Sequence, residues 1–224
     1  MAISSAQSKP LTTAKSRSSE GVVAQSEKAR LVLAGARKVF FSHGYSVATT
    51  DMIQQAAGVS KSTVYAHYPN KEALFVAVVE AECEHFLSTI RKLKFTSERL
   101  ADILTAMARA YLEIVLSREG LALFRMVASE APRFPELGRG FYIAGPGTVN
   151  HMVAEKLEAA VSRGEVDLGG IGIDCAAAMF VNLVRGELMM QCLMHPDAPA
   201  SAAQRDQWTK DAVRVFLRAL QKTK

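Results

Sequence analysis

The sequence predicts an all-α protein in two parts: a small helix-turn-helix unit followed by a larger helical body. Three observations carry that expectation. Apolar residues recur at helical spacing along most of the chain, and no segment alternates with strand period for long enough to compete. Breakers containing Gly or Pro ("APRFP", "AGPG", "RGEVDLGG", "HPDAPAS") fall between the periodic runs. The charge is uneven. Residues 1–75 hold nine Lys/Arg against four Asp/Glu, whereas residues 76–224 hold eighteen of each, so the whole net charge of +5 lies in the first third. A neutral body with a basic end points to a polyanion at that end. A chain of 224 residues, 49% apolar, has material for one large core or two small ones.

Residues 1–25 are rich in Ser, Ala and Thr with scattered basic residues and no apolar period, and read as a disordered tail. The tail lacks the apolar stretch of a secretory signal. From Ser26 a helix is expected, with Leu33, Ala36 and Phe40 on one face and Gly44 of "SHGY" as its C-cap. "TTDMIQQAAG" reads as a second helix, capped by Thr49 or Thr50 and ended by Gly58. Ser60 caps a third, "KSTVYAHY", which Pro69 stops. Asn70 caps a fourth, beginning "KEALFVAVVEAECEHFL". Neither Ser60 nor Asn70 is followed three residues later by the Glu or Gln of a capping box. Beyond these, helices are expected at roughly 97–117, 119–130, 133–144, 147–163, 173–194 and 204–221.

Two short helices joined by a tight turn with a glycine make a helix-turn-helix. Ile53, Val59 and Val64 are expected to face inward and set the crossing. That leaves Lys61, Ser62, Thr63, Tyr65 and His67 on or near the outward face of the second helix. Hydroxyls, phenols and ammonium groups donate hydrogen bonds, and phosphate oxygens and most base-edge groups accept them. Lys71 adds a cation at the start of the next helix, where free N–H groups already favour a phosphate.

"VFFSHGYSVATTDMIQQAA" followed by "GVSKSTVYAHYPNKEALF" resembles the DNA-binding domain of the TetR family of bacterial transcriptional regulators. The resemblance rests on Phe40, Gly44, Tyr45, Thr50, Ile53, Ala57, Gly58, Val59, Ser60, Thr63, Tyr65, His67, Tyr68, Lys71 and Leu74, and covers about residues 26–75. It implies that Thr50, Tyr65, His67 and Lys71 contact phosphates, while Lys61, Ser62 and Thr63 face bases. Gln54 stands where a small residue is usual, and Ser62 where glycine is frequent. In residues 76–224, "MVASEAPRFPELGRGFYIAGPG" with "LEAAVSRGEVD" resembles the C-terminal half of an AcrR/AefR-like branch of that family. This implies a helical effector-binding and dimerisation domain whose last long helices pair across a twofold axis.

Little in the chain suggests an enzyme. His43, His67, His85, His151 and His195 lie far apart, with no His pair at i, i+4 and no HExxH, so no metal is expected. There is no G-x-S-x-G, "GRGFYIAGPG" follows a helical pattern rather than a strand, and no cofactor is expected. Cys83, Cys175 and Cys192 form no CxxC and read as reduced thiols, with Cys175 and Cys192 buried and inert in an apolar helix. No apolar run approaches the ~18 residues of a membrane span. A cytoplasmic protein without membrane contact is the expectation.

The body's candidate cavity residues are Phe86, Met107, Tyr111, Phe124, Met126, Phe141, Tyr142 and Phe180, with Arg109, Asn182, Arg185 and Glu187 as candidates for polar groups inside; Arg185 and Glu187 could equally pair at a dimer seam. Aromatic and thioether walls suit a hydrophobic or amphipathic guest, cationic or aromatic, in several related shapes. "GIDCAAAMFVNLVRGELMMQCLM" is apolar on more than one face, including Ile173, Ala177, Phe180, Val184 and Leu188, so a second copy is expected to cover it. "TVNHMVAEKLEAAVSR" would complete a four-helix seam.

The sequence therefore points to a dimeric DNA-binding repressor released by a ligand and reading a palindromic double-stranded operator. An activator, or a binder that needs no ligand, is the alternative within that class. Outside it stands a helical small-molecule-binding or catalytic protein.

Overall fold

A computed structural model describes the backbone of residues 14–220 and the side chains of residues 27–220. The described residues form ten α-helices and one π-helical turn, with no strand. The helices are α1 (Ala14–Val47), α2 (Thr50–Ala57), α3 (Lys61–His67), α4 (Lys71–Arg91), α5 (Leu100–Val115), α6 (Arg118–Glu130), α7 (Pro135–Tyr142), α8 (Thr148–Ser162), α9 (Ile173–Met194) and α10 (Ala202–Ala219), with the π turn at Ile143–Gly147. The chain divides into two compact units between Phe75 and Val76, where the charge balance also changes.

In the first unit, Phe40, Tyr45 and Phe75 gather at the core. Phe75 lies 4.9 Å from the Phe40 ring centroid and 4.7 Å from that of Tyr45. Gly44 has φ 76° and ψ 167°, a conformation that disfavours side chains, and it breaks α1 where the sequence marks a stop. At its other end α1 starts at Ala14, twelve residues before the expected Ser26. Once the packed part of α1 is formed, each residue added to its N-terminus needs only one more backbone bond, so the helix extends beyond the apolar pattern. The tail reading for residues 1–13 lies outside the described residues. Ile53 and Val64 are buried as expected, and Val59 is half-buried. Thr49, Ser60 and Asn70 each accept the N–H of the residue three on, which confirms all three caps.

The second unit packs around α9. Leu104, Leu112, Leu157, Ala177, Phe180 and Val184 are all at most 1% exposed. Phe180 meets Phe216 of α10 with ring centroids 4.9 Å apart, and Trp208 donates its indole N–H to the Val184 carbonyl at 2.8 Å. A capping box that sequence reading missed starts α10. The Ser201 hydroxyl accepts from Gln204 N–H, and Gln204 Oε1 accepts from Ser201 N–H.

"AGPG" does not interrupt the helices, contrary to expectation. It forms the π turn, and Pro146 is tolerated because its missing N–H falls where the wide turn already relaxes the bonding ladder. The Thr148 hydroxyl donates to the Ile143 carbonyl at 2.9 Å, satisfying one displaced acceptor.

Ala177, Phe180, Val184 and Leu188, expected at a seam between copies, are covered by their own chain, and Ile173 is half-buried against the same core. The open apolar face of α9 lies on its other side, at Cys175, Met179, Leu183, Met190 and Met194. Cys175 is thus exposed rather than buried, whereas Cys192 is buried. The exposed residues of α8 include the polar His151, Glu155 and Glu158 and, at its end, the apolar Val161. Among the described residues no helix is long and apolar enough to cross a membrane.

Candidate functional site

The α2–α3 turn is built by Gly58, whose φ of 65° and ψ of 31° lie in the left-handed region. Gly58 and Val59 N–H groups return to the carbonyls of Gln55 and Gln54. The Ser60 hydroxyl then lies 2.8 Å from that of Ser62 and 2.9 Å from that of Thr63. Three hydroxyls therefore gather at the N-terminus of α3. Lys61, Ser62 and Tyr65 are exposed, Thr63 and His67 half-buried. The Tyr65 phenol reaches the Thr50 hydroxyl at 3.4 Å, bringing together two candidates fifteen residues apart.

The two lysines differ. Lys61 pairs with Asp51 at 2.9 Å in solvent, and its pKa is raised, chiefly by that hydrogen bond. Lys71 is half-buried and turned inward. Its ammonium donates to the carbonyls of Tyr45 at 2.9 Å and Ala48 at 3.0 Å, and lies 4.4 Å from the Tyr45 ring centroid. The sequence missed both partners, although the break at Gly44 was a usable signal. A helix that ends there leaves carbonyls for a nearby cation to satisfy.

The second unit holds a partly open cavity of about 70 Å³ among α4 to α9. Phe86, Tyr111, Phe124 and Phe141 line it, four of the eight candidates. Met107 and Phe180 border instead a void of about 10 Å³, one turn of helix away from Tyr111 and into the core respectively. Met126 is packed in the buried face of α6. Tyr142 is 57% exposed, because one helical step from Phe141 turns it to solvent.

Of the polar candidates only Arg185 lines the cavity. Arg109 pairs with Asp206 of α10, Asn182 donates to the Ala178 carbonyl, and Glu187 accepts from Gln191. Sequence reasoning overlooked Cys83, Pro146 and Met189 in the wall. Burial, helped by the nearby Glu82 and Glu80 carboxylates, pushes the Cys83 thiol up to about 12, so it is a neutral, nearly apolar wall atom at physiological pH. Burial also raises the Tyr111 phenol, offset in part by the Arg185 guanidinium beside it. The lining thus combines aromatic walls with a phenol and a guanidinium. Among the described residues no three His, Cys, Asp or Glu side chains gather as a metal site.

Comparison with known proteins matches both units. Residues 32–78 match the family model for bacterial regulatory proteins of the tetR family, and residues 102–222 match that for the C-terminal domain of AefR-like transcriptional repressors. The chain is similar to the HTH-type transcriptional repressor Rv1474c of Mycobacterium tuberculosis, 38% identical over 25% of this chain and 29% of that protein. It is similar to the HTH-type transcriptional activator FasR of Mycolicibacterium smegmatis, 30% identical over 40% of this chain and 41% of that one. These matches span less than half the length of the curated relatives. Among solved structures, the flavonoid-responsive regulator FrrA is 33% identical, with a TM-score of 0.76 over 89% of this chain and 100% of that one. A tetR-family regulator of Mesorhizobium loti MAFF303099 is 25% identical, with a TM-score of 0.78 over 88% of this chain and 98% of that one.

Proposed function

The chain belongs to the TetR family of bacterial transcriptional regulators, and from that membership we propose that it is a DNA-binding repressor released by a small hydrophobic or amphipathic guest. Members of this family are transcription factors rather than enzymes, and they bind operators as dimers. The observation that carries the reading is the exposed donor face of α3, set on a unit that holds the chain's entire net charge. Lys61, Ser62 and Thr63 meet base edges. Thr50, Tyr65, His67 and Lys71 meet phosphates. Lys61 exchanges Asp51 for DNA at little cost, because both partners of that pair are solvated.

The open apolar face of α9 supports the dimer: a second copy covers Met179, Leu183, Met190 and Met194, together with the exposed Val215 of α10. Two recognition helices then meet successive major grooves of a palindromic operator at about 34–36 Å spacing. Repression is favoured because the named relatives are mostly repressors, although FasR is an activator. The cavity supports release. At about 70 Å³ it is smaller than the roughly 150 Å³ cavity that holds benzene in an engineered core. A larger guest either projects from the open side or moves the wall, and movement of the wall supplies the differential affinity a switch requires. FrrA, named as flavonoid-responsive, shares the fold at 33% identity. Such a regulator works in the cytoplasm, on chromosomal DNA.

The test is fluorescence anisotropy of the full chain with duplex DNA from beside its own gene and with random duplex, across a salt series. Affinity should fall steeply with salt on both, and the neighbouring DNA should bind more tightly. Absence of binding to either duplex at low salt would overturn the reading in favour of a helical small-molecule-binding protein.

A further inference from the structure

We infer that the guest of the body cavity is an amphipathic acid, its anionic end on Arg185 and its apolar part among Phe86, Phe124, Phe141 and Met189. The inference rests on the ligand-release reading for its effect on DNA, and on the cavity alone for its chemistry.

Arg185 is the one formally charged residue in the cavity lining. It is half-buried, and it forms no ion pair with any described carboxylate. Its partners are neutral: the Asn182 amide oxygen at 2.9 Å and the Tyr111 phenol beside it. Neutral dipoles leave a unit charge uncompensated where water is partly excluded, which is costly. A carboxylate or acidic phenolate restores the balance, and the planar guanidinium matches a carboxylate through paired N–H donors. The buried phenol of Tyr111 stays protonated and adds another donor. An ammonium guest, allowed by composition alone, meets a like charge in a medium that screens weakly. Glu187, the carboxylate nearest Arg185 in sequence, is exposed and bonded to Gln191, so it is not the missing counter-ion.

The test titrates a 4-alkylbenzoate series, ethyl to hexyl, into the full chain by calorimetry, with the matched benzamides and benzylamines beside it. The acids should bind about tenfold or more tightly than the amides, and the benzylamines weakest. In Arg185→Met the preference for acid should vanish while amide binding persists, and Arg185→Lys should retain part of it. If Arg185→Met fails to fold by circular dichroism, the wild-type series and Arg185→Lys decide. The inference is overturned if amides or amines match the acids at every chain length, if no acid binds up to millimolar concentration, or if Arg185→Met keeps the preference. Retesting each compound for DNA affinity separates the two claims. Acids that bind selectively without loosening DNA support the inference and break the release reading. Release by neutral or cationic compounds alone preserves that reading and overturns the inference.

Discussion

The inward turn of Lys71 changes what its replacement should do. Two of its three donors hold the Tyr45 and Ala48 carbonyls near the end of α1, and one remains for a phosphate oxygen. Lys71→Met should cost about 1–3 kcal/mol, because half-buried carbonyls lose charged donors. Urea unfolding should show a lower midpoint at unchanged slope. The same variant should lower the salt slope of DNA binding by about one, for all sequences alike. Lys61→Met is the contrast. Its ion pair with Asp51 is exposed, so stability should hold while sequence preference shifts. Equal stability of the two variants would refute the inward role of Lys71.

Between elements, one close approach sets how α1 meets α2. A Cβ added at Gly35 would lie 2.7 Å from both the Cβ and the backbone nitrogen of Ala57. Gly35→Ala gains up to about 1 kcal/mol of helix propensity, but the backbone of Ala57 cannot swing aside as a flexible side chain would. The clash should win: the variant should melt earlier and bind DNA more weakly, and an unchanged melting temperature would show that α2 shifts freely. On α9, charge placed on the open apolar face should prevent a second copy from docking. Met179→Glu combined with Met190→Glu should give a monomer in light scattering at micromolar concentration, still folded because both positions are exposed, with DNA affinity largely lost. A dimer that survives both charges would place the seam elsewhere.

Across the whole molecule, a near-neutral body and a basic first unit assign different work to the two units. Linkage joins them without requiring any particular path: a guest that weakens DNA binding by some factor must itself be weakened by DNA by that same factor. A cavity-binding compound should therefore raise the melting temperature and lower DNA affinity together. Its own dissociation constant, measured again with saturating operator, should rise by the factor seen for DNA. A factor of one in both directions, for a compound that does raise the melting temperature, would mean that the cavity is not a switch.

The order of the helices, the Gly44 and Gly58 stops, the caps at Thr49, Ser60 and Asn70, and the donor face of α3 were all legible in the sequence, because each is a local matter. Backbone conformation, first-turn hydrogen bonds and helical period involve residues only a few positions apart. The π turn was misread because the same Gly and Pro that break a helix can be absorbed by a wider turn when flanking packing holds it. Lys71 and Ala48 are 23 residues apart, and Gly35 and Ala57 are 22; no pattern within one helix reveals such pairs. The cavity depended on tertiary structure in the same way. Composition offered eight aromatic and thioether candidates, but which of them face one space follows from how six helices are rotated about their axes. That rotation brings Arg185 to an apolar wall and leaves Arg109 at the surface with Asp206. Side chains of equal charge thus acquire different roles, because burial rather than residue type decides what a charge costs and what it attracts.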